Sequence, residues 1–256
     1  VRDVKPGEII EIDENGVKSI SVKRPNKNTG MCMFEWVYFA RPDSILDGKG
    51  VYETRRRIGK TLAREHPVEA DFVIPVPDSG RAHALGFCNV SRISYAEGLM
   101  KNRYVERTFI LPDQKEREKT VMLKLNPIES VVKGNRIVLV DDSIVRGTTM
   151  KAIIGILKKG GAKEVHLRIG CMPIRAPCYF GVDMKSRDQF IATDRTIEEI
   201  GEELGADSIG FISEKGLVES IGFDKDDLCM GCLTGEYPVS VEGEKSREQR
   251  SLDSFY

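Results

Sequence analysis

Short apolar runs bounded by polar or turn-forming residues recur along the centre of the chain, at Phe72–Val76, Ile137–Val140, Val165–Ile169 and Ile209–Ile212. Their length and their content of Val and Ile predict strands. Between them the apolar positions fall three and four residues apart, over Tyr52–Glu65, Ala82–Val90, Thr149–Lys159 and Ile197–Leu204, which predicts helices. Strand and helix take turns, so the fold class that follows is α/β, a parallel sheet flanked by helices. The best-defined helix opens at Thr149. Its Ile153, Ile154 and Leu157 share one face, and Gly160 and Gly161 follow where a left-handed stop is needed.

The flanks are patterned differently. Residues 1–30 read as short strands with turns at Pro6-Gly7 and Asn15-Gly16, the edge of another domain. Residues 31–238 form the main domain, and residues 239–256 are polar and charged, a composition that suits a flexible tail. Within the main domain, Lys101–Lys124 is crowded with Lys, Arg and Glu and has little apolar periodicity. It reads as a long loop of the kind that serves as a lid.

Composition narrows the function. A net charge of -1 over 256 residues gives no basic excess for a phosphate backbone, which argues against nucleic acid as substrate. No apolar run approaches the roughly 18 residues of a membrane span, and no leader opens the chain, so a cytoplasmic protein is expected. The first residue is Val1, which suggests an upstream segment trimmed or carried elsewhere. The six cysteines are too sparse for a disulfide scaffold, and Cys229 and Cys232 form a Cys-x-x-Cys pair that points to metal or redox chemistry.

The informative segment is Val138–Thr149. Asp141 and Asp142 stand at the carboxyl end of a predicted strand, where ligands bind in open α/β sheets. Beyond them Gly147, the hydroxyls of Ser143, Thr148 and Thr149, and a helix N-terminus can present donors to a phosphate. The lysine of a Walker loop is missing, which excludes that class of nucleotide site. Carboxylates beside a phosphate cradle repel the ligand unless sugar hydroxyls or a cation lie between. A ribose 5-phosphate carrying magnesium pyrophosphate satisfies this: the acids meet the 2′ and 3′ hydroxyls and hold magnesium, and the loop takes the 5′-phosphate. The bland alternative is a solvated Asp-Asp turn before an ordinary helix cap.

The run Val138-Leu-Val-Asp-Asp-Ser-Ile-Val-Arg-Gly-Thr-Thr149 resembles the phosphoribosyl pyrophosphate (PRPP) signature, and its Ser-Ile-Val-Arg-Gly-Thr-Thr portion resembles the amidophosphoribosyltransferases in particular. Phe39-Ala-Arg-Pro-Asp-Ser44, Val76-Pro-Asp-Ser-Gly80, Lys101-Asn-Arg-Tyr-Val105, Arg107-Thr-Phe-Ile110 and Leu233-Thr-Gly-Glu-Tyr-Pro238 extend the likeness. The resemblance implies a type I phosphoribosyltransferase fold with an N-terminal strap and a C-terminal cluster-binding segment. It implies an enzyme of the first committed step of purine synthesis, transferring ammonia to PRPP to give 5-phosphoribosylamine and pyrophosphate.

The same resemblance assigns Mg2+ to Ser79, Asp141 and Asp142, and the 5′-phosphate to Ser143, Ile144, Val145, Arg146, Gly147, Thr148 and Thr149. It assigns the pyrophosphate to Asp78, Ser79 and Gly80. Lys101, Arg103 and Arg107 fall in the family's lid, where they neutralise the leaving group. The reaction builds an oxocarbenium-like sugar, so it needs leaving-group stabilisation and water exclusion more than a strong base. Cys32 and Cys178 match the two distant cysteines that, with a Cys-x-x-Cys pair such as Cys229 and Cys232, hold a [4Fe–4S] cluster in one branch of the family. Four thiolates also suit zinc, and the resemblance favours the cluster. Cys88 and Cys171 read as small core residues, and His66, His83 and His166 carry no assigned role.

Ammonia in this family comes from a glutaminase whose nucleophile is an N-terminal cysteine, expected here on an upstream domain or a separate subunit. A homo-oligomer is also expected. Residues 249–256, Gln-Arg-Ser-Leu-Asp-Ser-Phe-Tyr, resemble a sliding-clamp interaction motif, although docking on the chain's own domain or on a subunit neighbour is the favoured reading of so degenerate a pattern. A PRPP-sensing regulatory protein of the same fold is a competing function, but no basic domain or helix-turn-helix pattern is evident. A nucleobase phosphoribosyltransferase is a third, opposed by the loop wording and the cysteine spacing.

Overall fold

Four of the five strands of the central sheet are the apolar runs: β1 (Phe72–Pro75), β3 (Arg136–Asp141), β4 (Glu164–Ile169) and β5 (Ser208–Phe211). The fifth, β2 (Ser94–Tyr95), has two residues, too few to show a period. The computed structural model describes residues 4, 7–21, 29–102, 125–184 and 186–241. Every neighbouring pair in the sheet is parallel, and the order is β5-β4-β3-β1-β2. Ile137, Val138, Leu139 and Val140 of β3 are all 0% exposed, as expected for a central parallel strand covered on both faces.

The helices are α1 (Val51–Glu65), α2 (Arg81–Ser91), α3 (Thr148–Lys159), α4 (Ile197–Leu204) and α5 (Glu214–Ile221). They fall into two groups, α1 with α2 and α5, and α3 with α4. In α3 the predicted face is buried, with Ile153, Ile154 and Leu157 at 1%, 1% and 0% exposure. Each such side chain contributes about 2 kcal/mol by leaving water. The left-handed residue after α3 is Gly161, at φ 90°, while Gly160 stays right-handed at φ -71°. Helix α4 starts with a reciprocal capping box between Thr196 and Glu199. Helix α5 was not among the predicted helices; Ser213 caps it by accepting from the Gly216 N–H at 2.9 Å.

The order 2-1-3-4-5 has a consequence for function. After β1 the chain runs through α2 to the edge strand β2, then crosses to β3 on the other side of β1. The segments leaving β1 and β3 therefore diverge and open a crevice between their carboxyl ends, the switch point where doubly wound sheets bind ligands.

Smaller elements surround this frame. Residues Glu8–Asp13 and Gly16–Ser21 form an antiparallel hairpin, as the Asn15-Gly16 turn predicts, with Ile9, Ile12 and Val17 exposed. Met31–Cys32 pairs in parallel with Leu228–Cys229, and Leu99–Lys101 pairs antiparallel with Leu125–Pro127. Residues Glu35–Phe39 wind into one π-helical turn that buries Trp36 and Val37 and leaves Tyr38 and Phe39 exposed. Among the described residues no helix is long and apolar enough to cross a membrane.

Candidate functional site

The acid pair sits where β3 ends at the switch point. Each carboxylate is held by a close neighbour. Asp141 Oδ1 accepts from its successor's backbone, Asp142 N, at 2.9 Å and from Ser79 Oγ at 3.0 Å, while Asp142 Oδ2 accepts from Ser143 Oγ at 2.6 Å. Ser79 comes from the turn after β1, so its bond to Asp141 closes the crevice floor. That turn is seated on β3: Val76 N donates to Val140 O at 2.9 Å, and Gly80 N donates to Val76 O at 3.0 Å. A Cβ at position 80 would lie 2.3 Å from Val140 O, so only glycine lets the turn approach the strand this closely. The Pro77–Asp78 peptide bond is cis.

Burial and the charge of Asp142 push the Asp141 carboxyl well above the usual carboxylate range. Asp142 is 4% exposed and lies within electrostatic reach of two other buried polar groups, Arg55 of α1 and His83 of α2. Arg55 donates to Trp36 O at 2.9 Å and to Ala40 O at 2.8 Å, which ties the π-helical turn to the ground behind the acids. Burial lowers the Arg55 pKa, and the Asp142 charge opposes this. Burial depresses His83 more, to about 4, against the pull of Asp142. Neither His83 ring nitrogen makes a well-formed hydrogen bond among the described residues, and besides Asp142 the Ser79 backbone is the one polar group near enough to favour the protonated ring.

Beyond the acids, Ser143–Gly147 curls over the start of α3. Gly147 stands at the N-cap with φ 77°, a left-handed conformation, and a Cβ there would lie 2.4 Å from Ile191 Cδ1. No side chain among the described residues caps α3, which leaves first-turn N–H groups facing the crevice. The loop is braced from outside, by Ile191 N donating to Val145 O at 2.9 Å and by Arg146 donating to the Gln189 side chain. Ser79, the acid pair and all of Ser143–Thr149 line one cavity of about 1030 Å³, which Phe34, Tyr38 and Phe39 also line. Its lining combines two carboxylates, a loop whose N–H groups can meet an anion, and three aromatic rings.

The remaining predicted residues stand at the rim or elsewhere. Asp78 and Gly80 flank Ser79, and Lys101 Nζ lies 3.6 Å from Asp78 Oδ2. Arg103 and Arg107 lie outside the described residues, as do residues 249–256. Sequence reading missed Arg55, His83 and the aromatic lining. Phe39 and Ala40 belonged to a quoted motif without a role, Arg55 was one of three consecutive arginines, and nothing in the spacing linked them to Asp142.

The cysteines gather at a second corner. Cys32 and Cys229 are register partners on adjacent short strands. Arg175 N and Ala176 N both donate to Cys232 O at 3.0 Å, which carries the 175–178 segment to the Cys-x-x-Cys turn. Burial raises the Cys232 thiol to about 12, reinforced by Cys32, Cys178 and Cys229, so the four thiols feel one another. Yet among the described residues no group of three or more His, Cys, Asp or Glu side chains has metal-holding geometry. The donor chemistry fits a metal or cluster, while the sulfurs are gathered without being closed around a centre. Cys88 packs against the core, and Cys171, at 0% exposure, is core as expected. Cys171 also lies within electrostatic reach of Cys232, Cys32 and Asp142.

Comparison with known proteins agrees with this geometry. The phosphoribosyl transferase domain family matches residues 43–175, a stretch that holds both loops of the crevice and none of the four gathered cysteines. The chain is 55% identical to the amidophosphoribosyltransferase of Methanocaldococcus jannaschii, covering 96% of this chain and 55% of that one. It is 45% identical to that of Bacillus subtilis, covering 94% of this chain and 51% of that one. A solved structure, described as glutamine phosphoribosylpyrophosphate (PRPP) amidotransferase from B. subtilis complexed with ADP and GMP, superposes with a TM-score of 0.86 at 44% identity, over 95% of this chain and 54% of that one. The chain thus spans about half the length of the curated relatives it matches.

Proposed function

Since the chain belongs to the phosphoribosyl transferase family, in its amidophosphoribosyltransferase branch, we propose that it transfers ammonia to C1 of PRPP, releasing pyrophosphate and 5-phosphoribosylamine. The observation that carries this reading is the convergence of Ser79, Asp141, Asp142 and Ser143–Thr149 on one cavity at the sheet's switch point. The α3 loop takes the 5′-phosphate, the acid pair accepts from the ribose hydroxyls, and the turn at Asp78–Gly80 takes the pyrophosphate. Two carboxylates and a hydroxyl are the hard oxygen donors that suit Mg2+, so Ser79, Asp141 and Asp142 are its proposed holders. Bound there, Mg2+ would draw charge from the departing pyrophosphate.

The protein's own part is mostly positional. The C1–O bond breaks toward the pyrophosphate turn, an N–C1 bond forms from the opposite side, and the amine sheds its extra proton to solvent. Lys101 at the rim supplies a positive charge to the leaving group, in company with Arg103 and Arg107 of the lid segment. The aromatic lining excludes water, which would otherwise compete with ammonia for C1. Nitrogen is proposed to arrive from a glutaminase unit on the same polypeptide or a partner subunit, within a homo-oligomer.

Incubating the chain with PRPP and Mg2+, and with either ammonium or glutamine, tests the reading through pyrophosphate release. Release is expected with ammonium alone. A chain that ignores ammonium and instead consumes PRPP with a nucleobase would overturn it. For the cysteine corner, the proposal is a structural [4Fe–4S] cluster held by Cys32, Cys178, Cys229 and Cys232. Iron and sulfide analysis of anaerobically prepared protein checks this, and zinc alone would overturn it. The clamp-like segment 249–256 is proposed to dock on its own domain or on a subunit neighbour; loss of sliding-clamp binding on its removal would reverse that assignment.

A further inference from the structure

Helix α2 begins with a residue that works against it. Arg81 occupies the first helical position, where a cation opposes the helix dipole, and no acid offsets it within the first turn. Its compensation comes from outside the helix. Arg81 Nη1 lies 2.9 Å from Asp78 Oδ1, and Arg81 Nε lies 3.3 Å from Glu97 Oε1. Glu97 is fixed in turn, because its Oε1 accepts from the Tyr95 hydroxyl at 2.7 Å. The second oxygen of Asp78 faces Lys101 Nζ at 3.6 Å.

One carboxylate therefore holds two cations apart, one on each oxygen. It does so in the turn whose next residue, Ser79, lines the cavity and bonds the acid pair. The arrangement is open to solvent, with the Arg81 side chain 45% exposed and Asp78 61%. Exposed ion pairs of this kind contribute little to stability, and a guanidinium on a flexible stem re-aims at little cost. A pair of cations that share one carboxylate has the charge to receive an anion richer in oxygens than a carboxylate.

We infer that Arg81 is a second cation of the pyrophosphate subsite, parked on Asp78 and Glu97 until a polyphosphate draws it and Lys101 away. This rests on the PRPP reading and deepens it by naming a residue that binds the leaving group. Guanidinium offers two parallel donors to phosphate oxygens, which gives Arg81 a directional grip that Lys101 lacks. The Tyr95–Glu97 bond keeps the parked guanidinium beside the turn rather than in bulk solvent. Glu97 thus acts as a positioning residue that competes with the ligand for Arg81.

Three ligands separate the possibilities by titration calorimetry in the presence of Mg2+: PRPP, inorganic pyrophosphate and ribose 5-phosphate. The first two occupy the pyrophosphate subsite and the third reaches only the 5′-phosphate loop. Arg81→Gln is expected to weaken PRPP and pyrophosphate about tenfold while leaving ribose 5-phosphate within about twofold, the effect of losing one charged hydrogen-bond pair. Arg81→Lys should recover part of the loss, and Glu97→Gln, which removes a competitor, should tighten pyrophosphate about twofold to threefold. The assignment is overturned if Arg81→Gln binds PRPP and pyrophosphate as the parent does. It is overturned equally if all three ligands weaken by the same factor, which marks a distorted turn rather than a lost contact. A parent chain that binds none of the three would sink the PRPP reading itself, and the role of Arg81 with it.

Discussion

The crevice at the ends of β1 and β3 and the cysteine corner each gather polar side chains from distant parts of the chain, but the acids of the crevice are held by partners and the thiols of the corner are not closed around a centre. At the crevice each carboxylate has a hydroxyl or backbone partner within 3.0 Å, and the phosphate loop is braced by the 189–191 segment. These partners lie on a rigid strand or beside it, so the geometry stands before any ligand arrives. At the corner, two-residue strands and a few backbone bonds bring four thiols together, burial holds Cys232 in its neutral form, and among the described residues no three side chains close a site. Thiols must lose protons to bind a metal, so with the proposed cluster that corner would gain its final form only on binding.

If this contrast is right, the largest effect in the molecule belongs to Asp141→Asn. It removes a negative charge from the proposed sugar and magnesium site without altering shape, and ammonium-dependent pyrophosphate release is expected to fall about a hundredfold or more. The melting temperature in metal-free buffer should hold or rise. Burial and Asp142 raise the Asp141 pKa, so its ionised form penalises the fold as pH climbs above the ordinary carboxylate value. A variant that lost activity only in proportion to lost folded protein would show that the crevice is not preformed.

The reciprocal substitution is Cys232→Ser. Bound iron is expected to drop by more than half and the melting temperature to fall by about 5–10 °C, the range expected when a structural metal is lost from a domain of this size. Ribose 5-phosphate affinity, read by titration on the folded fraction, should stay within about twofold. A parallel collapse of that affinity would mean that the two regions form one unit. Cys171 makes this a real test, because it lies within reach of both the corner and Asp142.

The two regions also differ in how far the sequence reveals them. The crevice is written in contiguous residues: an apolar strand, two acids, hydroxyls, Gly147 and a helix with one apolar face. Local periodicity therefore finds both its strand and its helix to within a residue. The turn at Val76–Gly80 is contiguous too. What couples the turn to the acids is the crossover between β1 and β3, and no period records which strands become neighbours. The cysteine corner draws on residues 32, 178, 229 and 232, and only resemblance to a family links positions so far apart. Arg55 and His83 were legible by neither route. Each sits on a helix as one more inward-facing position, and its role depends on what the opposite helix face meets. The two-residue β2 and the π-helical turn Glu35–Phe39 were missed because elements this short owe their form to packing rather than to propensity.

His83 offers the smallest and most local test, since it touches neither region's ligand and yet lies behind the acid pair. Burial lowers its pKa to about 4, below the usual histidine value near 6.5, so the folded state resists a proton that the unfolded chain accepts. Stability from this group is therefore complete above pH 6.5 and is withdrawn as pH falls through that value toward 4. Replacing it with a neutral side chain of similar bulk, His83→Leu, removes the proton uptake. The variant should then lose less stability than the parent between pH 6.5 and pH 4, by up to about 3 kcal/mol, in urea unfolding at a series of pH values. Near pH 8 the two proteins should differ by about 1 kcal/mol or less, because the ring has no well-formed hydrogen bond to lose beyond its weak contact with the Ser79 backbone. Parallel pH curves would show that the imidazole is hydrated or paired after all, and that the ground behind Asp142 is wetter than the geometry implies.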